Sequence, residues 1–329
     1  MKAILVKDDT ARALYLAEAP TPQPGRDAVL IEVHATAVNR ADLLQRRGLY
    51  LPPPGESGIL GLEAAGVIVE KGTDVTDWQI GARVMCLLGG GGYAEYVAAN
   101  QNMLLRIPEH LSFEQAAAIP EAFYTAFVNL FLEGNLKTSE SLLIHAGASG
   151  VGTAAIQLAH QAGAKIFITA GSDDKIRRCL ELGADMGIKY KTEDFVARVA
   201  ELTPQQGVDV ILDCVGGEYL HKNLSLLRLK GRLVLIGLLG GAKSEIDLAL
   251  VLRKRLRLIG SILRSRSLAE KIAITAAFRE KILPLFVNRQ IHPVIDSVYP
   301  LAEANKAHEH VAANKNFGKV VLRVATNES

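Results

Sequence analysis

The chain is poor in cysteine. Its three, Cys86, Cys179 and Cys214, lie far apart and form no C-x-x-C pair, which excludes a disulfide framework and cysteine-rich zinc modules. A reducing compartment, the cytoplasm, is the expected setting. A charge imbalance is lacking as well: 37 Lys plus Arg stand against 35 Asp plus Glu, for a formal net charge of +2. Such a balance gathers neither nucleic acid nor anionic membrane over the whole surface, so any polyanion site must be local. No stretch approaches the roughly 18 continuous apolar residues of a membrane span. The opening MKAILVKDDTARALYL meets Asp8 and Asp9 after only a few apolar residues and so lacks the apolar core of a secretory signal. Internal repeats and low-complexity tracts are also absent. What is present is 329 residues, 49% hydrophobic and 22% charged, enough to bury sizeable cores. At roughly 150 residues per domain, two domains are expected.

Two textures alternate along the chain. The first third carries short β-branched runs bounded by Pro and Gly: Ala28 to Ala35, Gly66 to Glu70, and Arg83 to Leu88 followed by four glycines. This pattern suits a partly barrel-like antiparallel domain. From about Pro120 the texture changes, with an apolar-periodic helix over Ala122 to Leu132 and then strands alternating with helices. The expected strands are Ser141–His145, Lys165–Thr169, Met186–Lys189, Val208–Cys214, Arg232–Ile236 and Leu256–Ile262. Such alternation predicts an α/β fold with a doubly wound parallel Rossmann sheet. Beyond Arg264 the pattern predicts a helix over Leu268–Phe286, a strand over Ile291–Val298, a helix over Leu301–Asn314 and a strand over Lys319–Val324.

The most informative segment runs from Ser141 to Ala159, where a buried strand passes through a glycine-rich turn into an apolar helix. Amides at such a helix start face a pyrophosphate, and the helix dipole favours its charge. Against G-x-G-x-x-G, glycines fall at Gly147 and Gly152, with Ser149 in the middle place and Gly150 and Val151 following. The alternative is a plain strand-to-helix turn; the flanking strand, helix and next strand favour a dinucleotide.

The end of the next strand discriminates between cofactors, because NAD enzymes usually place an acidic residue there, about 20 residues on. Here Ala170 holds that place, followed by Gly171, Ser172, Asp173, Asp174 and Lys175. Small residues, a hydroxyl and a Lys charge accommodate a 2′-phosphate that a carboxylate would repel, so NADPH is expected. Asp173 and Asp174 argue the other way unless they belong to the first turn of the following helix. Tyr190 packs either near the adenosine phosphate or simply on the surface or core.

The residues now resemble a family. Val38-Asn39-Arg40-Ala41-Asp42, Arg47-Gly48-Leu49-Tyr50, Pro52-Pro53-Pro54-Gly55, Gly61-Leu62-Glu63-Ala64-Ala65-Gly66, Ala117-Ala118-Ile119-Pro120-Glu121, His145 to Gly152, Thr169 to Ser172, Asp213 to Gly217 and Asn314 to Lys319 run nearly end to end. Together they resemble the zinc-free medium-chain dehydrogenase/reductases of the quinone oxidoreductase branch, which includes zeta-crystallin. Ile262-Leu263-Arg264-Ser265-Arg266 and Ala313-Asn314-Lys315-Asn316 are most similar to the stress-inducible, apoptosis-linked quinone oxidoreductases of animals. The resemblance implies a discontinuous GroES-like catalytic domain, residues 1–121 and 265–329, around a Rossmann domain, 122–264. It further implies hydride transfer from NADPH to quinones, often ortho-quinones, in a cleft between domains, and a homodimer.

Alcohol dehydrogenases of this superfamily hold catalytic zinc with a Cys where this chain has Asn39 and a His where it has Leu62. Without a metal to polarise an alcohol, an already electrophilic conjugated carbonyl is the expected substrate. His308 and His310 read as solvated helix residues. The resemblance places Asn39 and Tyr50 against the substrate carbonyl; the plainer alternatives are a helix cap for Asn39 and packing on the proline loop for Tyr50. It places Thr125, Leu238, Ser261 and Leu263 around the nicotinamide side of the cofactor, with helix packing the alternative for Thr125, and Asn316 at the cofactor or the cleft rim.

Two other readings stay open. One is an NADPH-dependent alkenal or enone reductase. The other is a non-catalytic, NADPH-linked RNA-binding or structural protein, resting on Arg253-Lys254-Arg255-Leu256-Arg257 with Arg264 and Arg266. A solvated helix end explains that run as well, since no aromatic residues interleave with it. Leu256–Ile262 is expected to be an apolar sheet edge, which favours pairing with a second copy.

Overall fold

An eleven-residue strand, Ala28–Val38, organises the first of two structural units in the computed structural model, which describes residues 1–203 and 206–324. One unit unites Met1–Tyr124 with the chain from Arg264 onward, and the other is Thr125–Leu263.

The first unit begins with β1 (Lys2–Val6) and β2 (Leu14–Glu18), which form their own antiparallel pair. There follow β3 (Ala28–Val38), α1 (Arg40–Arg46), β4 (Glu63–Lys71), β5 (Arg83–Leu87), β6 (Tyr96–Asn100), β7 (Leu104–Arg106), α2 (Phe113–Ala117) and α3 (Pro120–Phe127), along which the chain passes from the first unit to the second. Val29, Ile31, Val33 and Ala35 of β3 are buried, whereas Glu32 and His34 lie on the other, partly exposed face.

The second unit runs β8 (Ser141–Ile144), α4 (Gly150–Gln161), β9 (Lys165–Ala170), α5 (Asp173–Glu181), β10 (Met186–Lys189), α6 (Phe195–Leu202), β11 (Val208–Asp213), α7 (Tyr219–Leu226), β12 (Leu227–Leu235), α8 (Leu248–Lys254) and β13 (Arg257–Gly260). The strands are all parallel, in the order β10-β9-β8-β11-β12-β13. Every residue of β8 is buried, as expected of a strand covered on both faces. Leu143, Phe167, Ile211 and Leu233, from four neighbouring strands, share one core. The strand order reverses between β8 and β11, the crevice where such sheets bind ligands.

The chain then returns to the first unit through α9 (Leu268–Lys281), α10 (Leu283–Val287), β14 (Ile295–Pro300), α11 (Ala304–Ala312) and β15 (Lys319–Arg323). β15 pairs antiparallel with β3 and parallel with β14, giving the sheet order β14-β15-β3-β4-β5-β7, with β6 also on β3. Around it Ile31, Ile68, Val84, Leu104, Val320 and Leu322 form the core of this unit.

The expected single helix over Leu268–Phe286 is two. Pro284 donates no backbone hydrogen bond and its ring clashes with the preceding turn, so the helix breaks at Ile282. The strand expected from Ile291 starts only at Ile295, beyond Pro293. The expected helix over Ala122–Leu132 is α3 continued by a π-helical turn, Val128–Glu133. Among the described residues no helix is long and apolar enough to cross a membrane.

Candidate active site

The turn between β8 and α4 is built by close approach. A Cβ at Gly147 would lie 2.7 Å from the Cβ of Ile168, and one at Gly152 would lie 2.5 Å from the carbonyl oxygens of Ala146 and Gly147. Only glycine fits at either place. Ser149, which stands where the motif has its middle glycine, is the N-cap of α4, its Oγ accepting the Gly152 N–H at 3.0 Å. The Thr153 N–H goes to the Ser149 carbonyl at 2.8 Å. The amides of Gly150 and Val151, at the first two helical positions, precede any intrahelical acceptor and carry the positive end of the dipole. These residues fit a pyrophosphate.

At the end of β9, Ala170 is buried and Gly171 faces Tyr190, whose hydroxyl would lie 3.1 Å from an added Cβ. Lys191 Cε would lie 3.5 Å from it. The exposed Tyr190 therefore flanks the turn rather than the core. Ser172 caps α5, accepting the Lys175 N–H at 3.4 Å. Asp173 and Asp174 occupy the first turn of α5 and pair with Lys189 (2.6 Å) and Arg177 (2.8 Å). Their charges are matched locally.

Along the same edge, Asp213 ends β11 and accepts the Val215 and Gly216 N–H groups at 2.7 and 3.1 Å. The loop after β12 carries the exposed Leu238, and Ser261, past β13, donates its N–H to the Leu235 carbonyl. Leu263 closes this unit, and Thr125, buried in α3, opens it. Gly147, Ser149 to Gly152, Gly171, Ser172, Lys175, Tyr190, Leu238 and Ser261 thus share the carboxyl edge of one sheet.

In the first unit, Asn39 begins α1 and sits in a buried polar cluster. Its Nδ2 donates to Glu63 Oε1 at 2.8 Å, and its Oδ1 accepts from Lys319 Nζ at 2.5 Å. Lys319 also donates to Glu63 Oε1 at 2.7 Å, while Glu63 Oε2 accepts the Glu121 N–H at 2.8 Å. Lys319 heads β15, and Glu63 heads β4. Both polar ends of the Asn39 amide are thereby committed inside the protein.

The Asn39 N–H donates to Asp42 Oδ2 at 2.7 Å and the Gly61 N–H to Asp42 Oδ1 at 3.1 Å. The Tyr93 hydroxyl lies 3.3 Å from Asp42 Oδ2 and 3.0 Å from His308 Nε2. Burial pushes the Asp42 carboxyl up to about 6 and the His308 imidazole down to about 3. His308 is therefore a core residue, not a solvated one, and His310 pairs with Asp296 at 2.8 Å.

Tyr50 does not join this cluster. It lies half-buried beside Arg264, whose guanidinium sits 5.1 Å from the ring centroid and whose Nη1 donates to the Tyr50 carbonyl at 3.3 Å. Arg264 Nε donates to the Gly89 carbonyl at 2.8 Å. Burial raises the Tyr50 phenol above its usual value, against the pull of Arg264. Asn316 turns its amide onto the Gly318 carbonyl at 2.7 Å, a local turn contact. Glu63, Lys319, Arg264 and His308 escape the sequence reading as partners. Their only signal is a charged or polar residue set against an apolar run.

The metal donors of a zinc dehydrogenase do not fit here. Leu62 is apolar and buried, the Asn39 amide is bonded to an ammonium, and among the described residues no group of three or more His, Cys, Asp or Glu can hold a metal.

Comparison with known proteins gives the family. Residues 25–109 match the alcohol dehydrogenase GroES-like domain, and residues 150–279 match the zinc-binding dehydrogenase family. A quinone oxidoreductase of Rattus norvegicus is 32% identical over 92% of this chain and 90% of its own. The crystal structure of Escherichia coli quinone oxidoreductase complexed with NADPH superposes with a TM-score of 0.87 at 29% identity, over 98% of this chain and 99% of that one. The JamJ enoyl reductase superposes equally well, at 0.87 and 28% identity, with the same coverage. The chain belongs to the medium-chain dehydrogenase/reductase superfamily, with quinone oxidoreductase-like relatives, and is an oxidoreductase built on a nicotinamide-dinucleotide-binding Rossmann unit.

Proposed function

We propose that the protein transfers hydride from NADPH to quinones, ortho-quinones foremost, without a metal. The observation that carries this reading is the engagement of the donor atoms at the place that resembles a zinc site: the Asn39 amide oxygen and Glu63 Oε1 both accept from the Lys319 ammonium, so neither is offered to a divalent cation. Lacking such a Lewis acid, the site suits a substrate that is already electrophilic. The nicotinamide, when bound, supplies the hydride. Gly147, Ser149, Gly150, Val151 and Gly152 would hold the pyrophosphate, and Gly171, Ser172, Lys175 and Tyr190 the 2′-phosphate end. Thr125, Leu238, Ser261, Leu263 and Asn316 would border the nicotinamide. Tyr50 would hydrogen-bond the carbonyl oxygen, and Asn39, whose amide is engaged by Glu63 and Lys319, would position that charged pair.

NADPH consumption with 1,2-naphthoquinone, a para-quinone, a 2-alkenal and a simple aldehyde, repeated with NADH, tests the proposal. Turnover of the ortho-quinone with NADPH is expected; no turnover with either quinone overturns it. The superposition with JamJ enoyl reductase favours an enone reductase as the second reading, and preferential reduction of the 2-alkenal would select it.

An RNA-binding role finds less support. Lys254 is spent on the Ser225 and Leu227 carbonyls and Arg264 is buried, so the basic run keeps Arg253, Arg255 and Arg257 exposed. We also propose a cytoplasmic homodimer paired along β13, a sheet edge where Leu258 is 42% exposed, with Ile262 just past the strand 55% exposed. A monomer by light scattering at micromolar concentration would overturn the dimer.

A further inference from the structure

Three adjacent strands, β9, β8 and β11, deliver the turns of the cofactor edge, and a buried polar residue sits at the end of each: Thr169, His145 and Asp213. Asn223, fully buried on α7, joins them. Polar side chains are costly in such a core unless their hydrogen bonds are made, and here they are made in one direction.

The direction follows from donor chemistry. Asp213 accepts two backbone N–H bonds through Oδ1, and its Oδ2 lies 3.0 Å from Asn223 Nδ2. A carboxylate accepting there fixes the amide, so Asn223 Oδ1 faces His145 Nε2 at 2.8 Å. Nε2 must then carry the imidazole proton, which leaves Nδ1 an acceptor. Nδ1 lies 3.1 Å from Thr169 Oγ1, so the hydroxyl donates to it. An Oγ1 lone pair is thereby aimed at the Ala146 N–H, 3.3 Å away, while the Thr169 carbonyl accepts the Gly147 N–H at 2.9 Å. Burial holds the His145 imidazole below its usual range, in keeping with an unprotonated Nδ1. At the end of the chain stands Ala146, a non-glycine residue with φ of 54°. That left-handed conformation persists only where its surroundings impose it.

We propose that Asp213, Asn223, His145 and Thr169 form a positioning relay that holds Ala146 left-handed and so sets the amides of Gly150 and Val151 for the dinucleotide. The inference rests on reading this edge as the dinucleotide site. None of the four need touch the cofactor through its side chain.

Thr169→Val keeps the shape of the side chain and removes the hydroxyl. The expected result, from equilibrium titration of the full chain with NADPH and NADH, is about tenfold weaker binding of both, the scale of one buried hydrogen bond. Thr169→Ser should restore affinity, and Thr169→Val combined with Ala146→Gly should recover it, because glycine takes that φ unaided. A general loss of packing would not be rescued by Ala146→Gly. Unchanged affinity in Thr169→Val, or no recovery in the double variant, overturns the relay. Should Thr169→Val not fold, the ¹⁵N shifts of His145 in the unaltered protein decide: a protonated Nε2 with a bare Nδ1 supports the relay, and the opposite tautomer overturns it. Absence of any NAD(P)H binding by the unaltered protein would instead refute the dinucleotide reading itself.

Discussion

Lys319 Nζ lies 2.7 Å from Glu63 Oε1, and the two side chains are only 5% and 0% exposed. An ion pair so far from water repays its desolvation only while both partners and their hydrogen bonds are present. Asn39 and the Glu121 amide complete that set.

Removing one partner should therefore be costly. Lys319→Met or Glu63→Gln alone is expected to destabilise the first unit by about 3–5 kcal/mol. The double variant should lose much less than the sum of the two. Urea midpoints of the three proteins check this, and additive losses would show that the pair is not coupled.

Acid should act on His308. Unfolded, it takes up a proton near its ordinary 6.5; folded, only near 3. Between those values the unfolded chain binds the extra proton, so the stability tied to neutral His308 is complete above pH 6.5 and is lost as pH falls toward 3. Asp42 has the opposite sign. Its carboxyl is raised from 3.8 to about 6, so its contribution is present below 3.8 and lost as pH rises through 6. The two oppose each other in the overlap. The stability difference between wild type and His308→Gln isolates the histidine and should shrink on acidification from pH 6.5 by about 1.4 kcal/mol per pH unit. A difference that stays level with pH would contradict the buried, neutral assignment.

Gly152→Ala should weaken dinucleotide binding by at least about tenfold. The added methyl meets two backbone oxygens that have no flexible side chain to yield. Fluorescence titration with NADPH reads the loss, and normal affinity would mean that the turn tolerates expansion.

Lys175→Ala should separate the two cofactors. Affinity for NADPH is expected to fall about tenfold with that for NADH unchanged, since only the former carries a 2′-phosphate for the ammonium. Equal losses would assign Lys175 a structural role.

Tyr50→Phe should lower kcat/KM for 1,2-naphthoquinone by about a hundredfold, the low end of what a hydrogen-bond donor to a developing oxyanion provides. NADPH affinity should not change. Steady-state kinetics beside a binding titration distinguishes this from a folding defect.

The parallel sheet and the glycine turn were legible because their signals are local. Gly147 and Gly152 announce a tight turn whichever way the rest of the chain folds, and alternation of strands with helices fixes the sheet type. Helix and strand ends near Pro284 and Pro293 were less so, because periodicity ran on through residues that break backbone hydrogen bonding. The polar clusters were not legible. Glu63 and Lys319 are 256 residues apart and meet because β15 returns to β3 beside β4. His308 sits on a helix whose buried face only tertiary packing defines.

That return strand also orders events during synthesis. Thr125–Leu263 is continuous in sequence and its sheet needs nothing from either flank, so it can close as soon as β13 has left the ribosome. The sheet around β3 must wait for Lys319–Arg323, nearly 300 residues after Ala28 has emerged. Through that interval the Ala35–Val38 end of one β3 edge, beyond the stretch that β6 covers, stands open, and the nascent chain presents it to any chaperone, or any neighbouring strand, that reaches it first.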